Sequence, residues 1–178
     1  MRRTLSATIL TLSMLLLCMA TPSASATEGS GEIASFEGRR INLDRDWEGA
    51  TACTTDGSRT QCFRTEAQMD EYLERNGTQD VAAPATVMAT CSTTLRLYSG
   101  TSFSGQVLSL STRQLWINLS GYGFDNITSS FKVGACAAYL ADLSNGGTPW
   151  YPGSTGANSQ ASTMVTGWSD RISSVYIT

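Results

Sequence analysis

Asp125-Asn126-Ile127-Thr128-Ser129-Ser130 and Ser169-Asp170-Arg171-Ile172-Ser173-Ser174 are two matching hexapeptides in the second half of the 178-residue chain. They stand 44 residues apart, and each leads into an apolar or aromatic run, Phe131-Lys132-Val133 in one copy and Val175-Tyr176-Ile177 in the other. Upstream, the stretch from Arg96 to Gly105 aligns with that from Ala138 to Gly147 at an offset of 42. This is an internal repeat. Each unit of roughly 40 residues alternates apolar positions and is broken by Gly, Ser and Asn, the pattern of several short antiparallel strands. Two such units can bury one face against each other.

Tyr98, four residues, Phe103, one residue and Gly105, followed by the acidic-Asn-x-x-Ser-Ser hexapeptide, resembles the βγ-crystallin Greek-key motif. The resemblance covers about residues 91 to 178, and its first copy is the more specific. It implies an all-β domain of two Greek-key motifs in a βγ-crystallin-like sandwich. It also implies a calcium site, because the family's ion-binding members carry two residues of Asp or Asn, two free positions, Ser or Thr, then Ser. Asp125 to Ser130 fits that pattern throughout. The chemistry agrees, since calcium takes six to eight oxygens from carboxylates, amides, hydroxyls and carbonyls.

In the family, each site borrows ligands from the hairpin of the partner repeat. The stronger site is therefore expected to join Asp125, Asn126 and Ser129 to Asp142 of the Ala141-Asp142-Leu143 hairpin. The weaker one, with Asp170 and Ser173, would face Ser99-Gly100-Thr101. There Ser169 replaces the first acidic or amide residue, and the hairpin lacks a carboxylate. One usable site is expected, with a dissociation constant of about 10⁻⁴ M. The same serines can also serve only to tie the loops down through backbone hydrogen bonds.

The amino terminus reads as a signal peptide of bacterial style over residues 1–26. Arg2 and Arg3 precede an apolar run from Ile9 to Met19, and Ala24-Ser25-Ala26 is a small-x-small cleavage site. The run is too short for a transmembrane helix. The chain is thus expected to be secreted, and Cys53, Cys62, Cys91 and Cys136 then form two disulfides by default. Three pairings are possible on paper. Cys53 with Cys62 would close a hairpin around Asp56-Gly57, and Cys91 with Cys136 would link the starts of the two repeats.

The chain contains no histidine. That removes the usual general base, the hydrolase triads and most catalytic zinc sites, so no enzymatic activity is expected. Residues 27–80 hold 12 acidic and 6 basic side chains, and residues 81–178 hold 3 and 4. No basic stripe for nucleic acid or for a membrane surface is present.

Residues 27–80 read as a small α+β module, too small for a large core of its own. Glu32 to Phe36 and Arg39 to Leu43 are two strands around Glu37-Gly38, and Ala52 to Phe63 is the disulfide hairpin. A helix follows, with Thr65 as its cap and Gln68 three residues on. Its apolar stripe is Ala67, Met69, Tyr72 and Leu73. Residues 81–90 read as a linker. The long stretch from Ser144 to Thr163 holds Trp150 and Tyr151 between two prolines. These aromatics can contact a protein or carbohydrate partner, or form a strand of the second repeat matching Leu108-Ser109.

Three functional classes fit. The first is a secreted, monomeric βγ-crystallin-like domain whose bound calcium stabilises the fold. The second is a secreted proteinase inhibitor, because the architecture is similar to small actinobacterial metalloproteinase inhibitors of this fold; its partner would be a secreted protease. The third is a killer-toxin-like protein. The calcium-stabilised module is the reading adopted from the sequence.

Overall fold

The structure, a computed structural model, describes residues 31–76 and 94–178. The expected signal peptide, the 81–90 linker and Cys91 lie outside the described residues.

β1 (Ile33–Phe36) and β2 (Arg39–Asn42) pair antiparallel around Glu37-Gly38. Both turn residues have positive φ, 50° and 76°, which matches the twist of a tight hairpin. β3 (Ala52–Thr55) and β4 (Thr60–Phe63) form the second hairpin, with Cys53 directly opposite Cys62 and bonded to it. Replacing both by serine is expected to cost about 2.7 kcal/mol, the loop-closure entropy of so short a ring, read by urea unfolding. Cys136 is also disulfide-bonded, and its expected partner Cys91 is not among the described residues.

α1 (Glu66–Asn76) begins where the cap was expected. Gln68 N donates to Thr65 Oγ1 at 3.3 Å. The Gln68 side chain reaches back one residue further than a standard capping box, accepting from Arg64 N at 3.1 Å. The inward face is narrower than the expected stripe. Met69 is buried, Tyr72 and Leu73 are half-buried, and Ala67 is exposed. Met69 packs on Ala52, Tyr98 and Val107, so the helix covers one face of the sheet next to β3.

The repeats supply β5 (Leu95–Gly100), β6 (Ser104–Leu110), β7 (Trp116–Asn118) and β8 (Ser130–Lys132), then β9 (Ala138–Ala141), β10 (Gln160–Ala161) and β11 (Ser174–Ile177). In the first repeat β5 is flanked by β6 and β8, while β7 leaves to pair with β11. In the second, β11 is flanked by β7 and β9, while β10 leaves to pair with β8. Each repeat thus lends a strand to the other's sheet. The result is two interlocked Greek keys in a sandwich, an all-β fold with one short helix. β10 lies inside what the sequence shows only as a long loop.

The amino-terminal segment extends the first sheet, whose order is β10-β8-β5-β6-β3-β4-β1-β2; the second sheet is β7-β11-β9. β3 lies parallel on β6, pairing Ala52 with Val107 through Thr55 with Leu110. Without β3, β6 would be an open edge of unpaired backbone groups, though its last four residues are all buried. Phe36, Leu43 and Trp47 belong to the same core cluster as Leu108, Phe124, Leu140 and Val175. The segment predicted as a module of its own shares its sheet and its core with the repeats.

A polar latch fastens α1 to β5. Arg96 donates to Glu66 at 2.7 Å and to Asp70 at 2.6 Å, and the Tyr98 hydroxyl donates to Glu66 Oε1 at 2.7 Å. Burial, with Glu66 second, pushes the Tyr98 phenol up, and burial followed by Glu32 does the same to Tyr122. Both folded-state values lie above the unfolded value of about 10, so this stability is complete below about pH 10 and is lost as pH rises beyond it. The expected slope is up to about 1.4 kcal/mol per pH unit for each phenol. Urea unfolding from pH 8 to 11.5 measures it, and Tyr98→Phe should flatten it.

Candidate functional site

The last serine of each hexapeptide ties the loop to the hairpin of its own repeat. Ser130 Oγ donates to Gly100 O at 2.6 Å and accepts from Phe103 N at 3.1 Å. Ser174 Oγ donates to Leu143 O at 2.6 Å and accepts from Gly146 N at 2.9 Å. Both serines are fully buried. The repeat is therefore physical as well as textual, although at the hairpin turns it runs one residue beyond the 42-residue offset: Ser102 and Asn145 hold the matching left-handed conformations, at φ 56° and 54°. Ser130→Ala leaves a donor and an acceptor unpaired, and is expected to cost about 1–3 kcal/mol in urea unfolding.

The second and fifth positions behave differently, because they reach across to the other loop. Ser129 Oγ donates to Asp170 Oδ1 at 2.9 Å, and Ser173 Oγ donates to Asn126 Oδ1 at 3.3 Å. Backbone bonds reinforce the crossing: Asn126 N donates to Ile172 O, and Asp170 N to Thr128 O, each at 3.0 Å. Asn126 and Asp170 sit at φ 57° and 56°, a left-handed conformation that Asn and Asp tolerate better than most side chains. Two oxygen clusters related by pseudo-twofold symmetry result, one of Asp170 with Ser129 and one of Asn126 with Ser173.

The remaining expected ligands are placed otherwise. Asp125 accepts from Asn126 Nδ2 at 3.0 Å. Asp142 lies beside the second loop, where Arg171 Nη2 donates to its carboxylate at 2.6 Å. That hydrogen bond holds the Asp142 carboxyl below its ordinary range, ionised and charge-compensated. The Arg171 guanidinium also lies 4.8 Å from the Trp168 ring centre. Among the described residues no hydrogen bond or ion pair joins Asp142 to residues 125–130. The 141–143 hairpin meets the hexapeptide of its own repeat, with Ser173 N donating to Ala141 O at 2.9 Å. Likewise Ser129 N donates to Tyr98 O at 2.9 Å.

One cluster offers a carboxylate and a hydroxyl, the other a side-chain amide oxygen and a hydroxyl, and such donors suit a hard cation. Thr128 Oγ1, in the same loop, is buried without a hydrogen-bond partner. Among the described residues no three His, Cys, Asp or Glu side chains converge, so a site here relies on hydroxyls and amides beside single carboxylates.

Trp150 and Tyr151 divide. Tyr151 is core: it meets Phe131 and Trp168 edge-on, at 5.4 and 5.6 Å between ring centres, and its N donates to Leu140 O. Trp150 bridges to Ala141 in the antiparallel sense, and its side chain remains exposed.

No protein-family model matches the chain, and no curated protein does. The chain is similar to several solved βγ-crystallin structures. One, from Ciona intestinalis, is 23% identical, with a TM-score of 0.41, over 48% of this chain and 99% of that one. A domain from Flavobacterium johnsoniae is 24% identical, with a TM-score of 0.40, over 47% and 92%. A double mutant of a domain from Clostridium beijerinckii is 21% identical, with a TM-score of 0.37, over 47% and 94%. The likeness is one of fold.

Proposed function

We propose that this chain is an exported βγ-crystallin-type module that binds calcium where its two hexapeptide loops cross, the ion stabilising the fold. The observation that supports it is the reciprocal contact of Ser129 with Asp170 and of Ser173 with Asn126. In this reading each site is built from both loops. Asp170 and Ser129 hold the better charged one, Asn126 and Ser173 the other, with Asp125 adding a carboxylate at the rim. Asp142 serves Arg171 instead. A bound calcium would neutralise the carboxylate and further fasten loops that now meet through two side-chain and two backbone hydrogen bonds. The signal-like amino terminus and the paired cysteines support a location outside the cell, where calcium is plentiful.

Calcium titration by calorimetry, with melting curves in calcium and in chelator, tests this. Saturable binding near 10⁻⁴ M is expected, weakened in Asp170→Ala more than in Asp125→Ala. At ten times the dissociation constant the ion should add about 1.4 kcal/mol of stability. No heat and no shift in melting temperature overturns the reading and leaves both hexapeptides as structural ties.

A further inference from the structure

The outer face of the second sheet carries four aromatic side chains in mutual contact. Trp116 of β7 lies 5.7 Å from Trp150 and 5.5 Å from Tyr176 of β11. Tyr139 of β9 lies 5.3 Å from Trp150 and 6.1 Å from Tyr176. Tyr139 and Trp150 remain 43% and 45% exposed, unusual for rings of this size in a soluble fold. Trp150 and Trp116 are also held in place. The indole N–H of Trp150 donates to Gly146 O at 2.7 Å, and the turn at Gly146 lies so close to the Trp116 ring that an added Cβ would meet it at 2.2 Å.

The surroundings define the occupant. The three strands, Trp116–Asn118, Ala138–Ala141 and Ser174–Ile177, contain no charged residue, and Arg113, just before β7, is engaged with Thr178 O at 2.8 Å. The polar rim of the patch is neutral. Asn118 and Asn145 bond to each other, Nδ2 to Oδ1 at 2.9 Å and backbone N to Oδ1 at 2.7 Å. Among the described residues Asn145 Nδ2 and the hydroxyls of Tyr139 and Tyr176 make no hydrogen bond. The four rings together expose at most roughly 400 Å² of apolar surface, well short of the roughly 800 Å² per partner of a stable protein interface. Neutral, aromatic and hydroxyl-rimmed, the face matches a sugar chain: the C–H face of an all-equatorial pyranose stacks on an aromatic ring, and its hydroxyls seek amides and phenols. Each ring touches two others, so the four close into a compact cluster, and the 41–49° between neighbours leaves it uneven, suited to one chain rather than to the flat surface of a crystal.

We infer that Trp116, Tyr139, Trp150 and Tyr176 form a binding face for a single neutral β-linked glycan chain. The face is separate from the crossed loops, and the inference does not depend on calcium. The test is titration of the purified full chain with cellohexaose and with chitohexaose, followed by tryptophan fluorescence, with the α-linked maltohexaose as control and sedimentation in parallel. Saturable binding to either β-linked hexasaccharide, absent for maltohexaose, supports the inference, and the preferred sugar shows whether the acetamido group is read. Trp150→Ala and Tyr139→Ala should each weaken binding at least tenfold while leaving the melting temperature within 2 °C or so, since both side chains are half in solvent. No binding to either hexasaccharide, binding untouched by both substitutions, or a dimer that Trp150→Ala dissociates overturns it.

Discussion

Trp47→Ala is expected to lower the stability of the whole chain by about 3–5 kcal/mol, a fifth or more of the roughly 5–15 kcal/mol that a domain possesses. Trp47 comes from the amino-terminal segment, yet its ring is buried against Phe124 at 5.7 Å, and its indole N–H donates to Tyr122 O at 2.9 Å, 75 residues away. Nearby, Glu32 N donates to Gly121 O at 2.7 Å. The backbones come close enough that a Cβ on Gly123 would meet Leu43 O at 2.2 Å. Deleting the indole opens a cavity between the amino-terminal segment and the first repeat, and strands an acceptor. Because β3 also continues the first sheet, the loss should be shared by the whole molecule. Urea unfolding followed by fluorescence and by far-ultraviolet circular dichroism should give one coincident transition, displaced as a unit in the variant. Two separate transitions, with only one displaced, would show that the segment folds by itself.

Phe131→Ala should cost about 3–5 kcal/mol as well, for a different reason. Phe131 is fully buried on β8, opposite Leu97 of β5 on one side and Ala161 of β10 on the other. Its ring meets Tyr151 edge-on, and Tyr151 in turn meets Trp168, just before the second hexapeptide. This row of rings spans both repeats, so a cavity there loosens the exchanged strands together. Phe131→Leu keeps most of the volume and should cost less than about 1.5 kcal/mol, with the same unfolding assay separating the two. A loss under about 1 kcal/mol for the alanine variant would mean that the core collapses around the gap.

Much of this architecture is legible in the residues. The paired serines closing each hexapeptide announce two equivalent loops, and the last of each pair proves to be a buried tie between a loop and its own hairpin. Glu37-Gly38, the Cys53–Cys62 ring and the Thr65 cap are local devices whose effects are complete within a dozen residues, so their reading from sequence matches the structure. The candidate site is legible in part. Asn126, Ser129, Asp170 and Ser173 do come together, but loop to loop, whereas Asp142 is taken by Arg171. Nothing in the spacing of Asp142 marks it for an arginine 29 residues on, since that choice depends on which loop the hairpin folds over.

The sequence by itself determined the repeat, its strands and turns, and the chemistry of the loops, because alternation, turn residues and caps act between near neighbours. Only the tertiary structure decided the rest. β10 is two residues long and has no periodicity to read. The parallel union of β3 with β6 is made by backbone groups, which every sequence carries alike. Trp116, Tyr139, Trp150 and Tyr176 are scattered along the chain, and they become one surface only when β7, β9 and β11 lie side by side. Pairings between distant segments are selected by the joint burial of a common core, a property of the whole chain rather than of any window of it.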